Sequence, residues 1–440
     1  MNPSSLVGHI TELLLQIHNT TQPVDRTVST FFRERTYLGS RDRRFISEGI
    51  YGIIRNRRYL ETLLEQYLIE HSDASELDQP QKRFLPLYVC YVIAIEKKSQ
   101  DEALPISIWS VSFPSINFQS FIEWMQSHAS LEFLNEEEDV RLGVLYSFQD
   151  WMVQELGQRG NGEIEELLTA LNRPADITLR VNTLKASREE CRQRLAGEGM
   201  ETSLTPYSPD GLIAAKRFNT HASKAFSDGW YEMQDEGSQI VSLIVSPQPE
   251  QTVIDACAGA GGKTLHLAAM MQNRGEIIAM DNDPKRLVEL ERRAMRAGVQ
   301  SVKTMHKGNI IPENFFGKAD IVLVDAPCSG VGTIRRNPSM KWSVTESLVE
   351  HYHEQQSEIL AFNSRFVKPG GKLVYATCSL FQKENEDVIN KFLMTNDQLQ
   401  LTSLQSFAKS SGLPCEGDML TLYPHKTKTD GFFTAVMVKQ

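Results

Sequence analysis

The sequence lacks the features that would place the protein in a membrane or outside the cell. It has no apolar stretch approaching the roughly 20 residues that a membrane helix needs, and its first residues do not follow the basic-then-apolar order of a signal peptide. Its six cysteines form no C-x-x-C pair, which argues against a disulfide framework and against a structural zinc site. We therefore expect a cytoplasmic protein with no membrane anchor and no metal.

An excess of positive charge is absent as well, since the 440 residues carry a formal net charge of −10. Proteins bind nucleic acid through clustered lysines and arginines, so an RNA-binding role would depend on local clusters. Alone, each cluster is also typical of the solvated face of a helix. Three clusters are present: Arg41, Arg43, Arg44, Arg55, Arg57 and Arg58; Arg286, Arg292, Arg293 and Arg296; and Arg335, Arg336 and Lys341.

The chain is longer than the size at which a single hydrophobic core keeps growing, so we expect two or three domains. Up to about residue 145, apolar residues recur at intervals of three and four, which predicts an α-helical bundle. Residues 177–183 and 211–215 read as strands, and residues 187–199 between them as a helix, with Ser187 as its N-cap. These three elements indicate a small α+β module.

From about residue 234, strand-like and helix-like segments alternate. This alternation predicts an α/β domain with a mostly parallel sheet covered by helices on both faces. Ligands bind such sheets beyond the carboxyl ends of the strands. The strand segments are 252–255, 276–281, 319–325 and 372–377, and the helix segments between the first three are 263–271 and 284–297.

A glycine-rich loop follows the first of these strands, and its residues are Cys257, Ala258, Gly259, Ala260, Gly261, Gly262 and Lys263. Asp281 ends the next strand about twenty residues later, where a carboxylate accepts hydrogen bonds from ribose hydroxyls. NAD and S-adenosylmethionine both suit this arrangement, but the departure from the strict G-x-G-x-x-G pattern favours S-adenosylmethionine. A phosphate-binding loop of a nucleoside triphosphatase would need glycine in place of Cys257, so that class is a minor alternative.

Two short cysteine elements follow later strand-like runs: residues 325–330, with the sequence DAPCSG, and residues 375–379, with the sequence YATCS. A lone cysteine is more often a buried apolar residue than a nucleophile. Here Cys328 and Cys378 both lie at or just past a predicted strand end and both precede a serine. Because positive charge nearby favours the nucleophilic thiolate, the pair predicts covalent chemistry on a planar base.

These elements, together with the glycine loop and residues 334–338, 341–342 and 430–433, resemble the RNA 5-methylcytosine methyltransferases of the Sun/NOL/NOP family. The resemblance spans most of residues 175–440. In addition, residues 41–59 resemble the NusB-like helical domain of the bacterial ribosomal-RNA members. The resemblance implies three domains: a NusB-like helical RNA-binding domain at 1–145, a small α+β (RRM-like) module at 146–233, and a Rossmann-like S-adenosylmethionine-dependent methyltransferase domain at 234–440.

The resemblance also implies roles for the site residues. Cys378 would attack carbon 6 of cytosine and Cys328 would assist release, whereas DNA cytosine-C5 enzymes attack from the proline-cysteine element, here Cys328. Asp325 would hydrogen-bond the target base, with Lys263 close by. The implied contacts to S-adenosylmethionine are Cys257, Ala258, Gly259, Ala260, Gly261, Gly262, Lys263, Asp281, Asn309 and Asp325.

The expected substrate is partly unpaired RNA, specifically small-subunit ribosomal RNA, because the base must leave its stack to react. Arg335, Arg336 and Trp342 are candidates for contacts to this RNA, although Trp342 is equally interpretable as a core residue. We expect a monomer that binds neither DNA nor membrane.

The sequence departs from the family pattern at two places that bear on the affinity for the methyl donor, S-adenosylmethionine. Gly259-Ala260 replaces alanine-proline, and Asn309 replaces an acid. Two alternative functions remain at this point. A NAD-type oxidoreductase would leave both cysteine elements unused. An RNA-binding assembly or transcription factor with a degenerate methyltransferase domain is opposed by the intact pair of Cys328 and Cys378.

Overall fold

A computed structural model describes residues 2–79, 82–99, 106–134, 136–158, 162–306 and 315–440. The chain forms two compact units, one of residues 1–158 with 337–343 and the other of residues 159–336 with 344–440. Residues 159–233 of the predicted α+β module thus fall in one unit with the methyltransferase sheet, whereas residues 146–158 fall in the other, and the boundaries of three separate domains remain a prediction. In the described part of the chain, no helix is long and apolar enough to cross a membrane.

The first unit is helical, as its periodicity predicts. Helix α1 begins after Asn2, whose side chain accepts a hydrogen bond from Ser5 N at 2.8 Å and so caps the helix. Its helices pack around one core that includes Ile10, Leu60 and Trp109. They are α1 (Pro3–His18), α2 (Val24–Glu34), α3 (Ser40–Arg55), α4 (Arg57–Glu70), α5 (Phe84–Cys90, continued by a π-helical turn at Tyr91–Ile95), α6 (Ile106–Ser112), α7 (Phe118–His128), α8 (Glu138–Leu145), α9 (Asp150–Gly157) and, from the separate segment, α16 (Met340–Ser343).

The second unit starts with a small antiparallel sheet in the order β2-β3-β1-β4. Helix α11 packs beside it and begins with a capping box, in which Ser187 and Glu190 each accept a hydrogen bond from the other's main-chain N–H. The predicted α+β module is therefore present. Its elements are α10 (Ile164–Asn172), β1 (Ile177–Val181), α11 (Arg188–Gly197), β2 (Thr202–Leu204), β3 (Gly211–Ala214), α12 (Lys224–Ser227) and β4 (Tyr231–Met233).

The larger sheet has the order β10-β12-β9-β8-β5-β6-β7, with β11 paired to β12. Strands β5 to β9 pair in parallel with one another, whereas β12 is antiparallel to β9. Its elements are α13 (Glu236–Val245), β5 (Thr252–Asp255), α14 (Gly262–Met270), β6 (Glu276–Asp281), α15 (Pro284–Ala297), β7 (Val302–His306), β8 (Ala319–Asp325), α17 (Glu346–Ser364), β9 (Val367–Thr377), α18 (Glu386–Thr395), β10 (Leu399–Thr402), α19 (Gln405–Ser411), β11 (Leu420–Leu422), α20 (Pro424–Thr427) and β12 (Phe432–Lys439).

Both faces of this sheet are covered, which confirms the predicted Rossmann-like α/β fold. Val253 packs in the cluster on one face and its neighbour Ile254 in the cluster on the other. Strand β9 begins at Val367 and is longer than the predicted 372–377, because it continues through a bulge between the pairs Ala319–Val367 and Ile321–Lys372. The carboxyl ends of β5, β6, β8 and β9 meet at one edge, where the candidate site residues are found.

Candidate active site

The glycine loop leaves β5 at Asp255 and turns into α14. Gly259 and Gly261 have φ values of +54° and +86°, which favour glycine. A Cβ atom at Gly261 would also lie 2.6 Å from Leu290 Cγ. Thr264 Oγ1 donates to the buried Asp255 carboxylate at 2.7 Å, and burial raises the pKa of Asp255 to about 6. Gly261 therefore allows α14 and α15 to pack closely, and the Thr264–Asp255 hydrogen bond joins the start of α14 to the end of β5.

Asp281 at the end of β6 is fixed by two main-chain donors. Its Oδ2 accepts from Gly259 N at 2.9 Å and its Oδ1 from Asp283 N at 2.8 Å. A carboxylate oxygen accepts two hydrogen bonds, so each oxygen keeps capacity for a ligand hydroxyl. The side chain that the sequence assigned to a ribose is thus held rigidly beside the glycine loop.

A cavity of about 660 Å³ opens between these elements. Among the residues predicted to bind a cofactor, eight line it: Cys257, Ala258, Gly259, Ala260, Gly262, Lys263, Asp281 and Asp325. Gly261 shapes the turn instead, and Asn309 lies outside the described residues. The volume is within the usual range for small-molecule sites, roughly 300–1,000 Å³.

Two arginines that the sequence analysis did not place at the site hold the loop's carbonyl groups. Arg180 on β1 is buried and donates to Gly262 O and to the Gln234 side chain. Arg293 on α15 donates to Ala260 O at 2.7 Å and pairs with Glu232. The sequence analysis named Arg293 only as a member of a basic cluster. It did not name Arg180, which could have been noticed as a charged residue within the alternating apolar pattern of β1.

Lys263 and Asp325 form an ion pair at the edge of the cavity. Lys263 Nζ lies 2.7 Å from Asp325 Oδ2 and 5.1 Å from the centre of the Phe432 ring. Burial alone would lower the pKa of Lys263, but the charges of Asp325 and Cys378 raise it above the ordinary value. The lysine therefore stays an ammonium close to one of the two thiols.

Cys328 and Cys378 meet at the ends of neighbouring parallel strands. Asp325 at the end of β8 pairs in register with Ala376 on β9, and three residues later the Cys328 Sγ lies 3.4 Å from the Cys378 Sγ. The hydrogen bond to Cys378 and burial raise the pKa of Cys328 well above its ordinary value. The two sulfur atoms are thus within hydrogen-bonding distance, and either thiol can be the donor.

The third basic cluster has intramolecular partners. Arg335 donates to the main-chain carbonyls of Lys428 and Thr429, and Arg336 pairs with Asp235 and Asp430. In the first unit, Trp342 packs against the helical core. The interpretation of Trp342 as a core residue is therefore favoured, and RNA contacts by these residues stay a prediction.

The comparisons with known proteins identify the family of the chain. The family model described as 16S rRNA methyltransferase RsmB/F matches residues 242–438, and the ferredoxin-like domain model of the same family matches residues 148–221. The "Probable ribosomal RNA small subunit methyltransferase B" of Synechocystis sp. is 32% identical over 420 residues, covering 91% of this chain and 92% of its own. The chain belongs to the RsmB/F family.

Other relatives extend the comparison to another bacterium and to a solved structure. The Bacillus subtilis protein of the same printed name is 29% identical and covers 92% of both chains. The crystal structure of a methyltransferase homologue from Pyrococcus horikoshii is 29% identical with a TM-score of 0.59, covering 69% of this chain and all of its own. The sequence resemblance to RNA methyltransferases is thereby confirmed.

The family's cofactor is S-adenosylmethionine, and the described residues fit it. The fixed Asp281 carboxylate suits ribose hydroxyls, and the tight main-chain turn at Gly259 leaves space against the loop. Pro327 and Ile359 add apolar lining for the adenine or the methionine side chain. Family membership thus decides between the two cofactors that the glycine loop allowed, and the chain is an S-adenosylmethionine-dependent RNA methyltransferase.

Proposed function

We propose that the protein transfers a methyl group to carbon 5 of one cytosine in small-subunit ribosomal RNA through a covalent link between Cys378 and carbon 6 of the base. The observation that carries this proposal is the Sγ–Sγ distance of 3.4 Å between Cys328 and Cys378, beside the Lys263–Asp325 ion pair. Relatives named as ribosomal RNA small subunit methyltransferase B support the choice of RNA.

The first step needs a thiolate, because carbon 5 of cytosine is a poor nucleophile until a thiolate adds to carbon 6. In the proposed step Cys328 donates to Cys378 across their 3.4 Å contact, and the charge of Cys378 helps to raise the pKa of Lys263. The ammonium and the thiol donor both stabilise negative charge on the Cys378 sulfur. Its attack forms the S–C6 bond and moves the electron pair of the ring double bond to carbon 5.

S-adenosylmethionine, when bound, supplies an electrophilic methyl group for carbon 5. Asp325 accepts a hydrogen bond from Lys263 and keeps free lone pairs, so it can also accept from the exocyclic amine of the base. Release requires a base to take the carbon-5 proton, the electrons of that C–H bond to re-form the ring double bond, and Cys378 to depart as a thiolate. We assign assistance in this release to Cys328, which lies within contact distance of Cys378.

The test is a comparison of the two cysteine variants on ribosomal RNA. Cys328→Ala should accumulate a protein–RNA adduct that survives a denaturing gel, because attack proceeds and release fails. Cys378→Ala should abolish both the adduct and methyl transfer. Cys415→Ala is the matched control, because Cys415 is half-buried and its described hydrogen bonds are to the carbonyls of Gly417 and Met419.

An adduct in Cys378→Ala would reverse the two roles. Absence of S-adenosylmethionine binding in calorimetry would contradict the enzymatic function itself. Bisulfite sequencing of ribosomal RNA from a strain lacking the protein identifies the substrate, and we expect one cytosine to lose its methyl group.

A further inference from the structure

Glu384 is a fully buried carboxylate that the sequence analysis did not single out. It ends the short 3₁₀ turn Gln382–Glu384 just after β9. Its Oε1 accepts from Ser329 N at 2.7 Å and from Gln356 Nε2 at 3.2 Å, and its Oε2 accepts from the hydroxyls of Ser329 and Ser379. Four donors therefore occupy the four acceptor positions of one carboxylate.

The two serines are the residues directly after the two reactive cysteines. Ser329 follows Cys328 and Ser379 follows Cys378, and the serine hydroxyl oxygens lie 3.2 Å apart. Both serines are themselves buried. One carboxylate thus joins two loops that are 50 residues apart in the chain, each within one residue of a thiol.

Glu384 is itself held from other elements. Tyr375 on β9 donates its hydroxyl hydrogen to Glu384 O at 2.6 Å, and Gln356 on α17 bridges Glu384 to Pro327 O at 2.9 Å. The next residue, Asn385, donates to Ser379 O at 3.0 Å. Because the Glu384 carboxylate is fixed in this way, the two loops that it joins can move little relative to each other.

The charge of the buried Glu384 carboxylate indicates a role beyond packing the two loops together. Burial raises the pKa of Glu384, while the hydrogen bonds from both serines oppose that rise. Burying a carboxylate costs free energy that an uncharged side chain of similar shape avoids. A charged acceptor nevertheless provides strong hydrogen bonds at two loops simultaneously, which is what precise placement of two thiols requires.

We propose that Glu384 is a positioning residue that holds Cys328 and Cys378 at reacting separation through Ser329 and Ser379. Its effect on methylation rests on the function proposed above, whereas its effect on the distance between the thiols does not. The two effects are therefore measured separately.

The distance is tested with diazenedicarboxamide, an azo oxidant that takes up two hydrogens and becomes the hydrazine as two thiols join in a disulfide. In the full-length protein, peptide mass mapping follows closure of the Cys328–Cys378 disulfide. We expect Glu384→Gln to slow closure, and to lower kcat for methylation, each by about tenfold or more, because misplacement by about 1 Å costs up to about 100-fold in rate. The affinity for S-adenosylmethionine should change by less than about twofold, since Glu384 does not line the cavity.

Asp387→Asn is the matched control, because Asp387 lies on the same segment and pairs with the exposed Gln382. It should close the disulfide and methylate RNA at the rates of the unmodified protein. If Glu384→Gln fails to fold, the double variant Ser329→Ala, Ser379→Ala removes the same hydroxyl links and should show the same slowing.

Closure at the unmodified rate in Glu384→Gln, or in the double serine variant, overturns the positioning role. A different outcome is that Glu384→Gln slows disulfide closure but the unmodified protein does not methylate RNA. That result supports the positioning role and contradicts the proposed reaction. Slowed closure in Asp387→Asn as well would assign the effect to the segment as a whole and overturn the role of Glu384.

Discussion

Among the residues that the structure describes, each of the two units buries one lysine, and the two lysines have opposite surroundings. Lys263 in the second unit pairs with the Asp325 carboxylate, and the nearby negative charges raise its pKa. Lys341 in the first unit donates to the carbonyls of Arg55 and Tyr146 at 2.9 and 3.0 Å and lies 3.9 Å from the centre of the Phe148 ring. Burial, together with the Arg55 charge, lowers the pKa of Lys341 well below its ordinary value.

The contrast shows what a buried amine is used for in each place. A lysine held against a carboxylate keeps its charge, and that charge is available to a reacting thiol. A lysine buried without a carboxylate partner loses part of its preference for the charged form, but it satisfies acceptors that would otherwise be buried without a donor. We therefore expect Lys263 to matter chiefly for the reaction and Lys341 chiefly for the stability of the helical unit.

The largest effect is expected from Lys263→Met. The substitution removes the ammonium next to Cys378 and leaves Asp325 without this partner, so kcat for methylation should fall by about 100-fold or more. Adduct formation in a Cys328→Ala background should slow equally. Lys409→Met on exposed α19 is the control and should behave like the unmodified protein. A fall of less than about threefold would mean that the charge of Lys263 does not assist the reaction.

A smaller effect, on stability, is expected from Lys341→Met. Methionine has a similar length but cannot donate to the carbonyls of Arg55 and Tyr146, so the unfolding free energy of the first unit should fall by about 1–3 kcal/mol. Tryptophan fluorescence during denaturant unfolding measures this, because four of the five tryptophans, Trp109, Trp124, Trp151 and Trp342, belong to that unit.

Lys97→Met, at an exposed position of the same unit, is the control for that measurement. Affinity for S-adenosylmethionine should be unchanged in both variants. A more stable Lys341→Met protein would show that removing the desolvated charge outweighs the two lost hydrogen bonds.

The smallest effect is a difference in pH dependence between the two lysines. Lys341 has a folded pKa below the ordinary 10.5, so its contribution to stability increases as pH rises toward 10.5. Lys263 has a folded pKa above 10.5, so its stabilisation is complete below that value and is lost as pH rises through the folded pKa.

Unfolding free energies of the unmodified protein and of both Met variants, measured from about pH 7 to about pH 11, separate these contributions. The difference between unmodified protein and Lys341→Met should grow more stabilising with pH, by about 1.4 kcal/mol for each unit of pKa difference. The corresponding difference for Lys263→Met should shrink above pH 10.5. If the two differences changed with pH in the same way, the opposite pKa shifts of Lys263 and Lys341 would be contradicted.

Much of the catalytic unit was predictable from sequence because its signals are local. The bounds of β5, β6, β8 and α15 match the predicted segments 252–255, 276–281, 319–325 and 284–297. The order of glycine loop, Asp281 and two cysteine elements indicated the right family. Periodicity and turn residues act over a few positions, so they are visible without the fold.

Glu384 and Arg180 were not predictable in the same way. Glu384 reads as a polar residue before a helix, and Arg180 as the polar position of a strand. Their partners, Ser329 and Gly262, are 55 and 82 positions away in the chain. No local pattern records such a pairing, because it arises only when separate elements pack.

The sequence by itself determined the α/β fold, the order of the site elements and the presence of the two thiols, since these follow from local backbone preferences and from which side chains are present. Only the tertiary structure decided how those thiols are held and where the Lys341 segment belongs. Residues 337–343 follow the Cys328 element in the chain yet pack with helices some 290 positions earlier, as the Trp342–Ile54 hydrogen bond shows, 288 positions apart. Burial of apolar and hydrogen-bonding groups selects such contacts by shape and charge, irrespective of distance along the chain.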